Sequence, residues 1–273
     1  MVLTFEVETI EINPPQCIDI DYKTLAGIKF GSLNPNSLNI SDYGTPKANN
    51  FYNKLNSFLK LNRDIWCLQD TRLAKQLDAF KREIRVTRFG RYSVIENSKK
   101  GSGGVATIIR DTVPYKIYNI HRSDCENALL IDMSIKGFRF LLCNIYGPRH
   151  TVADSDFFID LNNYINSLNI KFVLINGDLN AVTTASQPTA DNLGNIECYD
   201  MATVPNLKHS KTLSKFIADG IFVDQYRITH PNTRIYSHIP YDEGGGDPIA
   251  LGSTIFYVPL NLAVISKKLI MLT

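Results

Sequence analysis

The stretch Phe172-Val173-Leu174-Ile175-Asn176-Gly177-Asp178-Leu179-Asn180 decides the fold. Phe172 to Ile175 is an unbroken apolar run, the pattern of a strand buried on both faces. It stops abruptly in the turn-forming residues Asn176 to Asn180. The same figure recurs upstream. Ile65-Trp66-Cys67-Leu68 runs into Gln69-Asp70-Thr71-Arg72, and Ile28-Lys29-Phe30-Gly31-Ser32-Leu33 runs into Asn34-Pro35-Asn36-Ser37. Phe138 to Tyr146 is apolar at its centre and is halted by Gly147-Pro148. Each strand therefore carries polar side chains to its C-terminal end. In a layered α/β fold such loops gather on one rim, where sites commonly form.

Helical periodicity separates these strands. In residues 47–61 the apolar side chains Ala48, Phe51, Leu55, Phe58, Leu59 and Leu61 share one helical face. Residues 154–168 repeat the spacing with Phe157, Phe158, Leu161, Tyr164, Ile165 and Leu168, and residues 210–219 read as a third helix. Further strands are expected at Tyr92–Ile95, Val105–Ile109, 221–224 and 255–260. A hairpin is expected from residues 127–133 and 138–145 about Lys136-Gly137. Several strands and three helices predict an α/β sandwich with two sheets faced by helices. Residues 1–26, broken by Pro14-Pro15, read as a peripheral segment: a leader, an edge strand or a linker. Residues 27–273 then form one domain. The stretch 183–209 has little periodicity, and 242–248 reads as an exposed loop.

Composition narrows the class. With 44% hydrophobic and 21% charged residues the chain is an ordinary globular protein rather than a disordered or fibrous one. A net charge of +2 gives little support to a partner held through many phosphates. The cations Lys81, Arg82, Arg85, Arg88 and Arg91, followed by Lys99 and Lys100, form either a solvated surface or a phosphate-tracking edge. Cys17, Cys67, Cys125, Cys143 and Cys198 form no CxxC pair, which points away from zinc and from a disulfide framework and fits a reducing, intracellular compartment, nucleus or cytoplasm. No signal peptide leads the chain, and no apolar run is long enough to cross a membrane.

Asn34, Asp70, Tyr146, Asp178 and Asn180 all lie at or just past a strand's C-terminal end. A carboxylate beside an amide suits a hard divalent ion, because Mg²⁺ takes oxygen ligands. A second carboxylate can orient or activate water, and Asn and Tyr can donate to phosphoryl oxygens as charge builds. Taken singly, each also has an ordinary reading. Asp70 can cap a turn, Asn34 can precede Pro35 in one, Tyr146 can be a half-buried aromatic, and Asp178 and Asn180 can build a loop around Gly177.

Together these segments resemble the endonuclease/exonuclease/phosphatase superfamily, and in particular the apurinic-like endonuclease domain of non-LTR (LINE-type) retrotransposon proteins. The resemblance spans roughly residues 27–262. Ser32-Leu33-Asn34-Pro35-Asn36-Ser37-Leu38 is similar to the opening strand and asparagine loop. Trp66-Cys67-Leu68-Gln69-Asp70-Thr71-Arg72 is similar to the segment with the metal-binding glutamate, and Asn144-Ile145-Tyr146-Gly147-Pro148 resembles the tyrosine loop. Asn176-Gly177-Asp178-Leu179-Asn180 resembles the most specific motif, and Asp224-Gln225-Tyr226-Arg227-Ile228-Thr229-His230-Pro231 a stretch particular to the retrotransposon branch. The resemblance implies a four-layered α/β sandwich with two central mixed sheets flanked by helices. It implies Asp178, Asn180, Tyr146 and Asn34 as catalytic residues, Asp70 and Asn34 as metal-side residues, Mg²⁺ (or Mn²⁺) as cofactor, DNA as partner, and nicking by a monomeric hydrolase domain associated with a reverse transcriptase.

Three departures set the expected activity. Asp70 is one methylene shorter than the family's glutamate. In Ser253-Thr254-Ile255-Phe256-Tyr257-Val258, Phe256 stands where the family carries aspartate and Thr254 where it carries arginine. The terminal Ser-Asp-His motif is not found before Thr273, so the domain reads as truncated at its C-terminus. His230 and His238 read as structural or exposed rather than as replacements. The expectation is a weak or inactive endonuclease domain. The alternatives are an active enzyme with a rearranged centre, recruiting Asp242 or Asp247, and a non-enzymatic module binding DNA or protein.

Overall fold

The computed structural model describes residues 3–10, 25, 27–38, 46–85, 87–99, 103–148, 156–181, 207–220, 222–224 and 257–259. In chain order the elements are β1 (Phe5–Thr9), β2 (Phe30–Leu33), α1 (Pro46–Leu59), β3 (Ile65–Gln69), α2 (Leu77–Ile84), β4 (Tyr92–Asn97), β5 (Val105–Arg110), β6 (Tyr115–Ser123), β7 (Ala128–Ile135), β8 (Phe138–Tyr146), α3 (Phe157–Ser167), β9 (Val173–Asp178), α4 (Leu207–Asp219), β10 (Phe222–Asp224) and β11 (Tyr257–Pro259). They make a four-stranded sheet, β2-β3-β5-β4, and a seven-stranded sheet, β1-β6-β7-β8-β9-β11-β10.

Both sheets are mixed, and each holds one parallel pair. β2 runs parallel to β3, and β8 parallel to β9. Parallel neighbours need a long crossover, and α1 and α3 supply it. The crossovers put the C-terminal ends of β2 and β3 side by side, and likewise those of β8 and β9.

Strand alternation sorts the apolar residues into three layers. From β3, Trp66 and Leu68 turn outward to Phe51, Leu55 and Phe58 of α1 and to Phe80 and Ile84 of α2. Ile65 and Cys67 turn inward and meet Met133, Phe140 and Leu142 of the large sheet. On that sheet's far side Cys143, Ile145 and Ile175 pack on Phe158 and Leu161 of α3 and Phe216 of α4. Helix, sheet, sheet and helix therefore stack as the expected four-layered α/β sandwich. Cys67 and Cys143 are free and buried, as their apolar surroundings predict, and burial pushes the Cys67 thiol up to about 12.

One buried polar group crosses the central apolar layer. Asn144 of β8 is fully buried, and its Nδ2 donates to the carbonyl of Ala106 at 2.9 Å, with longer contacts to Leu68 O and Thr107 Oγ1 at 3.3 Å. Its Oδ1 accepts from Gln69 Nε2 at 2.8 Å, and Gln69 Nε2 also donates to Ser32 Oγ at 3.1 Å. Asn97 Nδ2 makes a second tie, from β4 to the carbonyls of Ser123 (2.8 Å) and Ala128 (3.0 Å).

Two elements differ from the sequence reading. α2 is a fourth helix, only eight residues long, in a stretch whose charges mask its two buried anchors, Phe80 and Ile84. β6 was also not expected, because a register shift between Ile117 and Asn119 interrupts its alternation. Of the two readings of the basic run, a solvated surface or a phosphate-tracking edge, the topology bears on where part of it lies. β4 starts with Tyr92 opposite Arg110, and it ends with Asn97 opposite Val105, next to Gln69. Arg85 and Arg91 thus lie at the end of the small sheet away from Asp70, about 20 Å along a six-residue strand. Arg88 sits with them, over the Phe89 ring at 4.8 Å. Lys99 lies at the near end and pairs with Glu6 at 2.6 Å.

Residues 5–9 add an edge strand to the large sheet, pairing antiparallel with Asn119–Ser123. Phe5 stacks on Tyr164 of α3, with ring centroids 3.9 Å apart, and Glu8 pairs with Arg122 at 2.6 Å. The Tyr164 hydroxyl lies 3.0 Å from His121 Nδ1. Burial lowers the His121 pKa below its usual 6.5, with Asp132 pulling weakly the other way.

Two outcomes follow from these contacts. Asn144→Leu strands its partners across the inter-sheet layer and is expected to cost about 1–3 kcal/mol, read as a lower urea midpoint; an unchanged midpoint would show that the tie is not needed. His121 is held neutral, so its contribution to stability is full above its unfolded pKa of 6.5 and declines as pH falls below that value. Urea midpoints at neutral and mildly acidic pH should therefore converge in His121→Gln relative to the wild type.

Candidate active site at the strand-end rim

The rim is built by the period of two. Along the four strands that reach it, every second residue faces the opposite sheet. These inward series are Phe30, Ser32 and Asn34 from β2 and its loop; Cys67 and Gln69 from β3; Leu142, Asn144 and Tyr146 from β8; Leu174, Asn176 and Asp178 from β9. An apolar layer gives way to a buried amide and hydroxyl layer, and then to the rim row, in which Asn34 and Asp178 are half-buried and Tyr146 is buried. Asn176, in register with Asn144, is fully buried, and among the described residues its side-chain amide has no hydrogen-bond partner.

Asp178 is held by neutral donors on both oxygens. Asn34 Nδ2 donates to Oδ2 at 2.9 Å, and the Asn180 backbone N–H donates to Oδ1 at 3.1 Å. Asn180 has a φ of 49° and sends its own Nδ2 to the Gly147 carbonyl at 2.7 Å. The Gly147 N–H closes the ring onto the Asp178 carbonyl at 2.7 Å. The two glycines permit this approach. A Cβ on Gly177, whose φ is 155°, would lie 1.9 Å from the Ile145 carbonyl oxygen, and one on Gly147 would lie 1.9 Å from that of Leu179. Tyr146 is Asp178's register partner and is almost wholly buried.

Asp70 is arranged differently. Asp70 and Arg72 both take left-handed backbone conformations, with φ of 48° and 53°, which non-glycine residues rarely adopt. Neighbouring loops hold them there. Ser37 N–H donates to the Asp70 carbonyl at 2.8 Å, Thr71 N–H to Gly104 at 3.0 Å, and Arg72 N–H to Gly103 at 2.8 Å. The resulting curl points the Arg72 guanidinium back at Asp70. Nε meets Oδ1 at 3.1 Å and Nη2 meets Oδ2 at 2.8 Å, a two-pronged charge-assisted pair. Those hydrogen bonds push the Arg72 pKa above its usual value, burial pulls it partly back, and the charge of Asp70 and the nearby Tyr146 phenol add to the rise.

A continuous chain of hydrogen bonds joins the two carboxylates. Asp178 accepts from Asn34, Asn34 Oδ1 accepts from the Asn36 N–H at 2.9 Å, and Asn36 Oδ1 accepts from Arg72 Nη2 at 3.2 Å. Asn34, Tyr146, Asp178 and Asn180 thus come together as expected. Asp70 shares the rim, but both of its oxygens face a cation of the chain itself. As arranged, it does not fit the expected role as Mg²⁺ or Mn²⁺ ligand. Among the described residues no group of three or more His, Cys, Asp or Glu side chains is placed to hold a metal. Sequence reasoning missed Arg72 and Asn36, although the Asp-x-Arg spacing was available as a signal. The expectations at Thr254, Phe256, His230, His238, Asp242, Asp247 and the Asp224 side chain lie outside the described residues.

The fold recurs in solved structures. An AP endonuclease from Archaeoglobus fulgidus matches with a TM-score of 0.56 and 22% identity, covering 87% of this chain and 88% of that one. The fold is that of the AP endonucleases. The AP endonuclease LMAP from Leishmania major matches at 0.60 with 15% identity, over 94% of this chain and 86% of its own. The 3′-5′ exonuclease NExo from Neisseria meningitidis matches at 0.56 with 16% identity, over 86% and 88%. No family model and no curated protein sequence matches the chain. Among the described residues of this AP-endonuclease-type sandwich, no helix is long and apolar enough to cross a membrane.

Two glycines separate backbone strain from collision. Gly103→Ala, at φ 77° with open space around it, should cost about 1–2 kcal/mol from strain alone. Gly177→Ala meets a backbone oxygen as well and should cost clearly more, shifting β9 and Asp178 with it. Equal urea midpoints for the two variants would contradict the close approach of β9 to β8.

Proposed function

We propose that the chain is a phosphodiester-directed, nuclease-like domain of a LINE-type retrotransposon lineage whose own hydrolytic turnover is weak or absent. The observation that carries this reading is the unequal state of the two rim carboxylates. Asp178 is braced by neutral donors and keeps its acceptor capacity for a water or substrate hydroxyl. Asp70 is already neutralised by Arg72.

Hydrolysis of a phosphodiester needs water oriented toward phosphorus, donors for the charge that builds on its oxygens, and an acid for the departing alkoxide. Asp178 suits the first task, and the amides of Asn34 and Asn180 with the Tyr146 phenol suit the second. For the third no described side chain is assigned, and Phe256 stands where the resemblance places a carboxylate. Loss of one positioned acid–base group lowers rate by roughly 10²–10⁴, and losses within one constellation do not add. The DNA partner is supported by the fold and by a Neisseria NExo structure that is bound to product DNA hairpin. The retrotransposon lineage rests on the 224–231 stretch and on the order of the motifs. A monomeric intracellular domain fits the same reading.

Plasmid nicking in Mg²⁺ is the direct test. Turnover should fall at least about 100-fold below that of an intact AP endonuclease assayed alongside. Robust nicking that Asp178→Ala abolishes would overturn the weak-activity reading.

A further inference from the structure

We propose that Arg72 is a built-in cation that binds a phosphate oxygen of a nucleic-acid strand at the rim, in the electrostatic place of a divalent ion. Phosphate binding here is then independent of metal. The proposal rests on the reading of the rim as facing nucleic acid.

The guanidinium is clamped along one edge and open along the other. Nε and Nη2 are engaged by Asp70 and Asn36. Nη1 carries two further N–H groups, and among the described residues neither has a partner. The exposures agree with this division: the Arg72 side chain is 34% exposed, the Asp70 side chain 2%. Asp70 is thus the buried counter-ion of Arg72, and the Arg72 side chain keeps solvent-exposed surface at the rim. Arg presents five donors in a rigid plane that matches phosphate geometry, and a fork already fixed in place loses little freedom on binding.

The surroundings complete an anion site. Lys54 Nζ reaches the carbonyls of Asn36 (3.0 Å) and Ser37 (3.2 Å), so a second cation supports the same loop. Asn34 and Asn180 each spend one amide N–H, on Asp178 and on Gly147, and among the described residues each keeps the other. Asn34 is linked to Arg72 through Asn36. Without the guanidinium, an arriving phosphate would meet the Asp70 and Asp178 carboxylates. With it, Asp70 is neutralised and the anion finds donors on both sides. A divalent ion that reached Asp70 would first have to displace two charge-assisted hydrogen bonds and then sit beside a guanidinium. Metal and Arg72 are therefore competitors for one carboxylate.

Fluorescence anisotropy with a short labelled DNA duplex tests this on the full chain, first in excess EDTA and then with MgCl₂ at constant ionic strength. The wild type should bind in EDTA, and Mg²⁺ should not tighten it. Arg72→Gln should weaken binding about tenfold and reduce the slope of log affinity against log salt by about 1. Arg72→Lys keeps the charge but loses the fork, and should fall between the two. It carries the test if Arg72→Gln does not fold. Binding that appears only with Mg²⁺, or affinities of both Arg72 variants equal to that of the wild type, would overturn the role of Arg72 while leaving a nucleic-acid rim intact. Absence of wild-type binding under either condition would remove the nucleic-acid reading and this proposal with it.

Discussion

Asparagine side chains tie the two sheets together at one end, and the rim exists because they do. Asn144 crosses from β8 to the backbone of β3 and β5, Asn97 from β4 to the turn between β6 and β7, and Asn34 from the loop after β2 to Asp178 on β9. An apolar inter-sheet layer is non-directional and would tolerate sliding. Hydrogen bonds that cross it fix the register of one sheet on the other, because each buried amide is costly to leave unpaired. The middle of the sandwich is held by Phe138, Phe140, Met133 and their neighbours. Its alignment is set at the polar end.

That alignment also explains why strained backbone collects there. Asn36, Ser37, Asp70, Arg72 and Asn180 all have positive φ. Each costs on the order of 1–3 kcal/mol, and each persists only where surrounding contacts over-determine it. Here the loops after β2 and β3 hydrogen-bond to one another, and the latter also bonds to the Gly103-Gly104 backbone before β5. The strain is used to aim side chains. A left-handed turn at Asp70 and another at Arg72 close two side chains into contact, where an extended chain would hold them on one face roughly 7 Å apart.

Much of the fold was legible in the sequence. The apolar runs of β3, β8 and β9 and the helical spacing of α1 and α3 are strong periodic signals, and the structure follows them to within a few residues. β6 and α2 were not, for opposite reasons. β6 is long but carries a register shift, and the polar residues Lys116, Asn119, His121, Arg122 and Ser123 interrupt its apolar ones. α2 is short and charged, and only two of its side chains are buried. Periodicity needs length and a clean face to register.

At the site, the sequence alone determined which residues stand at strand ends. An apolar run that stops in Asn, Asp or Gly places its last side chains on a rim, whatever the rest of the fold does. Thus Asn34, Tyr146, Asp178 and Asn180 could be named together. What each carboxylate faces was decided only by tertiary structure. Asp70 and Asp178 both stand at a strand's C-terminal end, yet Asp178 meets amide N–H groups and Asp70 a guanidinium. That difference comes from two positive-φ residues and from loops distant in sequence that hold them, and no pattern along the chain encodes such a long-range balance of strain against hydrogen bonding.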